Sequence, residues 1–453
     1  MRVPLKKLLP SRFHKLAGYA GRGVVRTLES AAPAGFVNIV PFDARGSAFI
    51  GGIVHVGPDL RPGGAERQLL VLTKAIAAST GLRQRFVGLH LNEDDSLRFF
   101  QPALEQAGVP VEVPPELTSA IDRLVAYYGE AGVEGLWSSL DWLPADVRST
   151  VMRLAADFSM HRPSVVHGWQ DAAGLAAGLA AVAVGVPRVI VAGRNRAPDR
   201  FTIYRPYMRE AYCLLVKQPQ VRMTNNSEAG ALDYARWLGI DASIVKLVRN
   251  AVEPRTIDIV GARARWRRRF SLAEDTILIG GMFRLQEEKR PLTWIAVAAV
   301  LARRRPALRF VLFGAGTMAE AVRVRVAELG ISMHLTMPGV AMDGAEAIAA
   351  LDVLLHTSSE EGTPNVILEA AAVGVPSVVS AAGGSAEAID PEITGTVVNE
   401  LDPDKEVESL ATACIGWLDD AARRDGVRFA GQRFMKDHFG VARLVAETLD
   451  LYK

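Results

Sequence analysis

From residue 51 onward the chain alternates short, nearly continuous apolar runs with longer segments in which apolar residues recur every three or four positions. This is the rhythm of buried parallel strands and the helices that cover them. Residues 52–56, 84–89, 109–113, 165–167, 187–192, 213–216 and 245–248 predict strands in the first half. Residues 276–282, 309–313, 335–340, 351–356 and 374–380 predict them in the second. Between them, helices are expected from Gly63-Gly64 to about Ser79, over 94–107, through most of 118–162, over the Ala-Gly-rich run 172–187, and over 228–238 with Asn225-Asn226-Ser227 as the cap. Residues 406–418, 423–436 and 441–452 close the chain as helices. The alternation predicts an α/β fold of doubly wound parallel sheets.

Length divides this pattern. At 453 residues the chain exceeds one ordinary core, and the rhythm breaks at Arg249-Asn-Ala-Val-Glu-Pro254. We therefore expect a first domain over 49–250, a second over 251–435, and a terminal helix over 436–453 crossing back to the first. Residues 1–48 form a basic extension, with Arg2, Lys6, Lys7, Arg12, Lys15, Arg22 and Arg26 against Glu29 in its first thirty positions. An anionic membrane surface suits that charge, and a partly ordered extension is the alternative. The extension has no unbroken apolar stretch, so it does not read as a secretion signal.

Apolar residues at 49% and charged residues at 23% exclude disorder over most of the chain. A net charge of +2 argues against a nucleic-acid binder. Cys213 and Cys414 stand far apart without metal-ligand spacing, which points to a reducing, cytoplasmic setting. Asp402-Pro-Asp404 reads as a loop and helix cap, so no metal is expected. The run 172–187 is a buried helix, too broken by Gly and Pro to span a membrane.

Candidate chemistry gathers where strands feed helices. Glu361 and Glu369 flank Gly-Thr-Pro-Asn-Val, with the first carboxylate in the strand-to-helix turn and the second inside the helix that Thr363 is expected to cap. Unpaired amides in such a turn suit phosphate or sugar oxygens. The alternative is one carboxylate complementing the helix dipole and one in solvent. Arg284 and Lys289 bracket another such loop and have the residue types to clamp a diphosphate. Gly314-Ala-Gly316 follows a strand but lacks the third glycine and the acidic residue of a dinucleotide fingerprint. His167 ends a strand, and the loop 193–200 holds Arg194, Arg196 and Arg200, which suit either solvent or an anion.

Taken together, these motifs resemble the family-4-type retaining glycosyltransferases of GT-B fold, two Rossmann-like domains facing across a cleft. The likeness covers residues 51–453. Gly63-Gly64-Ala-Glu-Arg resembles their amino-terminal glycine loop, and Arg249-Asn-Ala-Val-Glu their interdomain motif with Ala251 in place of glycine. Phe313-Gly-Ala-Gly316 resembles their middle glycine loop, and Glu361 to Glu369 their Glu-x7-Glu signature. The resemblance implies a nucleotide-sugar donor and no cofactor or metal. Glu369 would hold the ribose, Glu361 the sugar, and Thr363, Pro364, Asn365 and Val366 sugar or phosphate oxygens, with Gly63, Gly64, Gly314 and Gly316 also lining the donor. Arg284 and Lys289 would neutralise the departing diphosphate. His167 would lie near the reacting sugar, although many relatives carry histidine where this chain has Trp169. Trp169, Arg194 and Arg196 are candidates for the acceptor side. Val-His-Gly-Trp-Gln-Asp171 with the arginine-rich loop resembles bacterial enzymes that build surface polysaccharide. The acceptor would then be a glycan or lipid-linked sugar at the inner face of the membrane. Alternatives are a catalytically silent GT-B scaffold, a nucleotide-sugar epimerase, a phosphorylase or a nicotinamide oxidoreductase.

Overall fold

A computed structural model of the protein describes residues 51–253, 257–341 and 343–453. The basic extension 1–48, with its membrane reading, lies outside the described residues. The chain divides into two compact units. The first takes the described residues up to Asn225 with Ala231–Lys246 and Val445–Lys453; the second takes Asn226–Gly230 and Leu247–Leu444.

The first unit is built on a seven-stranded sheet in the order β3-β2-β1-β4-β5-β6-β7. Its strands are β1 (Gly51–Gly57), β2 (Gln84–Gly88), β3 (Val111–Glu112), β4 (Pro163–Trp169), β5 (Arg188–Gly193), β6 (Val221–Asn225) and β7 (Val245–Leu247). From β3 through β6 the ladders are parallel. The chain runs outward from β1 to β3, then returns to lay β4 beside β1, so the strand order reverses between those two. A reversal of this kind opens a crevice at the strands' carboxyl ends. The helix Asp171–Ala183 is almost wholly buried and can approach β4 because Gly168 has no side chain. A Cβ there would lie 2.6 Å from Gly174 Cα.

The second unit repeats the plan with six strands in the order β10-β9-β8-β11-β12-β13, all paired in parallel. These are β8 (Leu278–Met282), β9 (Arg309–Phe313), β10 (Leu335–Gly339), β11 (Val353–His356), β12 (Ser377–Ser380) and β13 (Gly395–Val398). Here the reversal falls between β8 and β11, which end at Met282 and His356. Apolar side chains of β8, β9 and β11 pack against the helices Pro291–Arg304 and Pro403–Asp419. Trp294 fixes one of these contacts by donating its indole N–H to the Leu355 carbonyl at 3.1 Å.

Several expected elements differ. Residues 213–216 end the helix Tyr207–Leu215, not a strand; Tyr207, Met208, Ala211, Tyr212 and Leu215 form its buried stripe. A four-residue apolar run carries no period of its own, so the helix was visible only with the polar Arg209 and Glu210 included. The helix expected over 94–107 is a 3-10 turn, Asp95–Arg98, followed by the helix Gln101–Gln106. Pro102 has no N–H to donate to the preceding turn, and the helix restarts around it. The strand at 109–113 shrinks to the two residues of β3.

Candidate functional site

The loops leaving β8 and β11 sit side by side at the reversal of the second sheet. After β8 come Phe283 and Arg284, a short 3-10 turn Glu287–Lys289, and Arg290 in the left-handed region at φ 49°, from which Pro291 starts a helix. After β11 come Thr357 to Pro364 and the helix Asn365–Val373, whose cap position is Pro364 and not Thr363. The two loops are laced together. The Ser359 amide donates to the Glu288 carbonyl at 2.9 Å, and the Thr357 hydroxyl reaches the carbonyls of Lys289 and Arg290 at 3.2 Å each.

At the centre of the lacing Glu361 is 7% exposed. Its Oε1 accepts from three donors: Lys289 Nζ at 2.7 Å, His356 Nε2 at 2.9 Å and Ser358 Oγ at 2.7 Å. Its Oε2 has no hydrogen-bond partner among the described residues. Burial would raise the carboxyl pKa. The Lys289 charge and the bonds from His356 and Lys289 outweigh it, so Glu361 sits far below the usual carboxylate range and stays ionised. His356 and Ser358 were not singled out in the sequence; the one signal was a polar residue closing an otherwise apolar strand.

Arg284 is the exposed counterpart, with its guanidinium held, among the described residues, only by Glu288 at 3.4 Å. Gly314 and Gly316 serve this same loop. A Cβ at Gly314, whose φ is 139°, would lie 1.9 Å from the Phe283 carbonyl oxygen, and one at Gly316 2.3 Å from that of Leu285. Side-chain-free backbone lets Leu285 bond to both Ala315 and Met318 at 2.9 Å. Glu369 is half-buried on its helix, facing Gly344. Asn250 ties the 363–365 turn in place, with its amide donating to the Thr363 carbonyl at 2.9 Å and to Asn365 Oδ1 at 2.8 Å. Thr363 Oγ1 donates to the Asn226 carbonyl at 2.6 Å. The Thr363 and Asn365 side chains are thus held by protein groups, while Val366 lies in the helix's first turn, where amides lack intrahelical partners.

In the first unit the sheet reversal gathers His55, His167 and Trp169. Trp169 donates its indole N–H to His55 Nδ1 at 3.3 Å, and His55 Nε2 then donates to Gln84 Oε1 at 3.2 Å. His167 stacks on Trp169 at 4.8 Å and shares a 2.8 Å hydrogen bond between Nδ1 and the Tyr452 hydroxyl. Its Nε2 is buried without a hydrogen-bond partner among the described residues. Burial lowers the pKa of both rings, His55 to about 4 and His167 well below the ordinary histidine value, with a further contribution from its neighbours His55 and Arg194. Arg194 lies over the Trp169 ring at 4.0 Å. Arg196 and Arg200 both clamp Asp233, which also accepts from the Ala197 amide. The loop that suggested anion recognition therefore spends Arg196 and Arg200 on an internal carboxylate, and Trp169 is an interior ring at 2% exposure. Gly63 caps the helix Gly64–Ser79. Its Cα faces Glu66, which accepts from Gln170 at 2.5 Å.

Glu112, Asp157 and His161 also lie within ligand distance of one another. The Arg85 guanidinium already bridges Glu112 and Asp157, so the positive charge there is the protein's own.

Residues 262–432 match the family described as Glycosyl transferases group 1. The Vi polysaccharide biosynthesis protein VipC/TviE of Salmonella typhi is 30% identical over 400 residues, covering 85% of this chain and 68% of the relative. A D-inositol 3-phosphate glycosyltransferase of Salinispora tropica is 30% identical over 247 residues, about half of each chain. Among solved structures, Anabaena HepE in complex with UDP and glucose superposes with a TM-score of 0.66 at 19% identity, covering 88% of this chain and 99% of that one. With its two parallel-sheet units the chain has the GT-B fold, and it belongs to the group 1 glycosyltransferases.

Proposed function

We propose that this protein is a retaining glycosyltransferase that moves a hexose-type sugar from a nucleotide-diphosphate sugar to a glycan or lipid-linked sugar, without a metal, in surface polysaccharide synthesis. The observation that carries the reading is Glu361, buried and ionised at the sheet reversal with one oxygen held by three donors and the other open. An open carboxylate oxygen fixed in this way accepts a hydroxyl, as a sugar requires. Glu369, farther along the helix, accepts from the ribose. Amides at the start of that helix receive sugar or phosphate oxygens. Arg284, exposed on the adjoining loop, and Lys289 neutralise charge as it builds on the leaving diphosphate, the electrostatic work a metal performs elsewhere. The acceptor hydroxyl then attacks the face from which the diphosphate departs, giving retention. Family membership, the polysaccharide-related relative and the UDP-bound structural neighbour support the reading.

A thermal-shift panel of UDP-, GDP- and ADP-sugars against NAD and NADP tests the donor class. One or more nucleotide sugars should stabilise the protein, and stabilisation by nicotinamide cofactors alone would overturn the proposal. Product analysis with membrane extracts as acceptor source then tests transfer and anomeric configuration.

A further inference from the structure

The proposed reaction places two demands on Lys289. In the structure its ammonium is bound to Glu361 Oε1, yet the reading above sends it to the diphosphate. A free diphosphate carries more negative charge than one carboxylate, so the ammonium shifts toward the phosphates when donor arrives. Glu361 would then lose its Lys289 partner as its sugar contact becomes necessary. Two donors remain on the same oxygen, Ser358 Oγ and His356 Nε2.

Of the two, His356 is the better fixed. It is 2% exposed, its ring meets Phe283 edge-on at 5.8 Å, and its backbone belongs to β11, paired to β8 and β12. Nδ1 is buried with no partner among the described residues, and Nε2, the atom facing the Glu361 carboxylate, carries the donated proton. A ring that can neither rotate nor reach solvent holds a carboxylate in one orientation. Lys289, on a long flexible stem, does not.

We propose that His356 is a positioning residue that keeps Glu361 anchored through Oε1, with Oε2 presented to the donor sugar, while Lys289 transfers to the diphosphate. The inference rests on the donor reading above and adds a residue that touches neither sugar nor phosphate. It divides donor binding into a nucleotide part independent of His356 and a sugar part that depends on it.

The test compares wild type, His356→Leu, which removes the donor, and His356→Gln, which returns an N–H near the same place. Calorimetry measures binding of UDP and UDP-glucose, or of GDP and GDP-mannose if the panel favours guanine; transfer assays give kcat and KM. In His356→Leu the nucleotide diphosphate should bind within about twofold of wild type, whereas nucleotide-sugar affinity and kcat fall about 10- to 100-fold, the scale of a hydrogen bond to a charged group. His356→Gln should recover most of both. Ser358→Ala, a smaller change, should show the same split more weakly and stands in if the leucine variant does not fold. An unchanged ratio of nucleotide-sugar to nucleotide affinity in the folded leucine variant, or in Ser358→Ala if that variant stands in, overturns the inference alone. So does a glutamine variant as impaired as leucine, which would reveal a packing role. A wild-type protein that binds no nucleotide sugar overturns the donor reading and this inference together.

Discussion

Single side chains carry most of the chemical argument, and Glu361 carries the largest share. Glu361→Ala and Lys289→Ala should each abolish transfer while circular dichroism shows that the fold persists, with a lowered melting temperature because each breaks a buried ion pair. Full transfer in either would remove that residue from the mechanism. Asp233 gives a contrasting case in the first unit. Burial would raise its pKa, but bonds from Arg200, Arg196 and the Ala197 amide bring it to about 2. A depressed carboxylate stabilises the fold above its unfolded pKa and ceases to as pH falls through the folded one, here from about 4 to about 2. At neutral pH, Asp233→Asn should therefore cost about 2 kcal/mol and loosen the 193–200 loop, read as a lower urea midpoint and faster amide exchange there. At this scale the sequence was legible for residues inside a recognisable spacing, Glu361, Glu369, Arg284 and Lys289. It was illegible for His356, Ser358 and Asp233, whose partners lie within a loop or far along the chain. Composition around Arg196 suggested an anion site because an arginine's partner 37 positions away leaves no local mark.

At the scale of elements, longer runs were legible and short ones were not. The strands ending at Met282 and His356 could be read because each is a buried run feeding a helix, and their adjacency follows from the sheet order. Residues 213–216 could not, since four apolar residues fit either period. Glycines settle two of the joins. Gly168 lets β4 touch the helix Asp171–Ala183, and a methyl added there meets backbone that has no rotamer to yield. Gly168→Ala should cost about 1–3 kcal/mol in chemical denaturation. Gly314→Ala should be harder to accommodate, because it combines an unfavourable φ with the Phe283 carbonyl. Its loss should appear as weakened nucleotide binding through the displaced 283–285 loop, and unaltered binding would separate that glycine from the site.

For the whole molecule, two α/β units and a boundary near residue 250 follow from length and rhythm, and the GT-B fold from motifs that each mean little alone. The division into units places Val445–Lys453 with the first, and this shapes the response to acid. His55 is held neutral with its pKa near 4, so the unfolded chain binds the extra proton between about pH 6.5 and 4. Stability is full above that window and lost on descending through it. From pH 7 to pH 5 the first unit should lose about 2 kcal/mol from this ring alone, roughly 5 °C in melting temperature, and His55→Gln should flatten the slope. A pH-independent melting temperature over that range would contradict the buried neutral ring.

The Tyr452 hydroxyl on His167 and the Lys453 carbonyl on Arg188 have a consequence for synthesis. The ribosome delivers β1 to β7 early, but the groups that close this sheet's histidine cluster emerge some two hundred residues later. The first unit to be translated is thus among the last to be finished. Until translation reaches the end of the chain, His167 Nδ1 lacks the Tyr452 hydroxyl and Arg188 lacks the Lys453 carbonyl, so the first unit's final contacts form after the second unit has been synthesised.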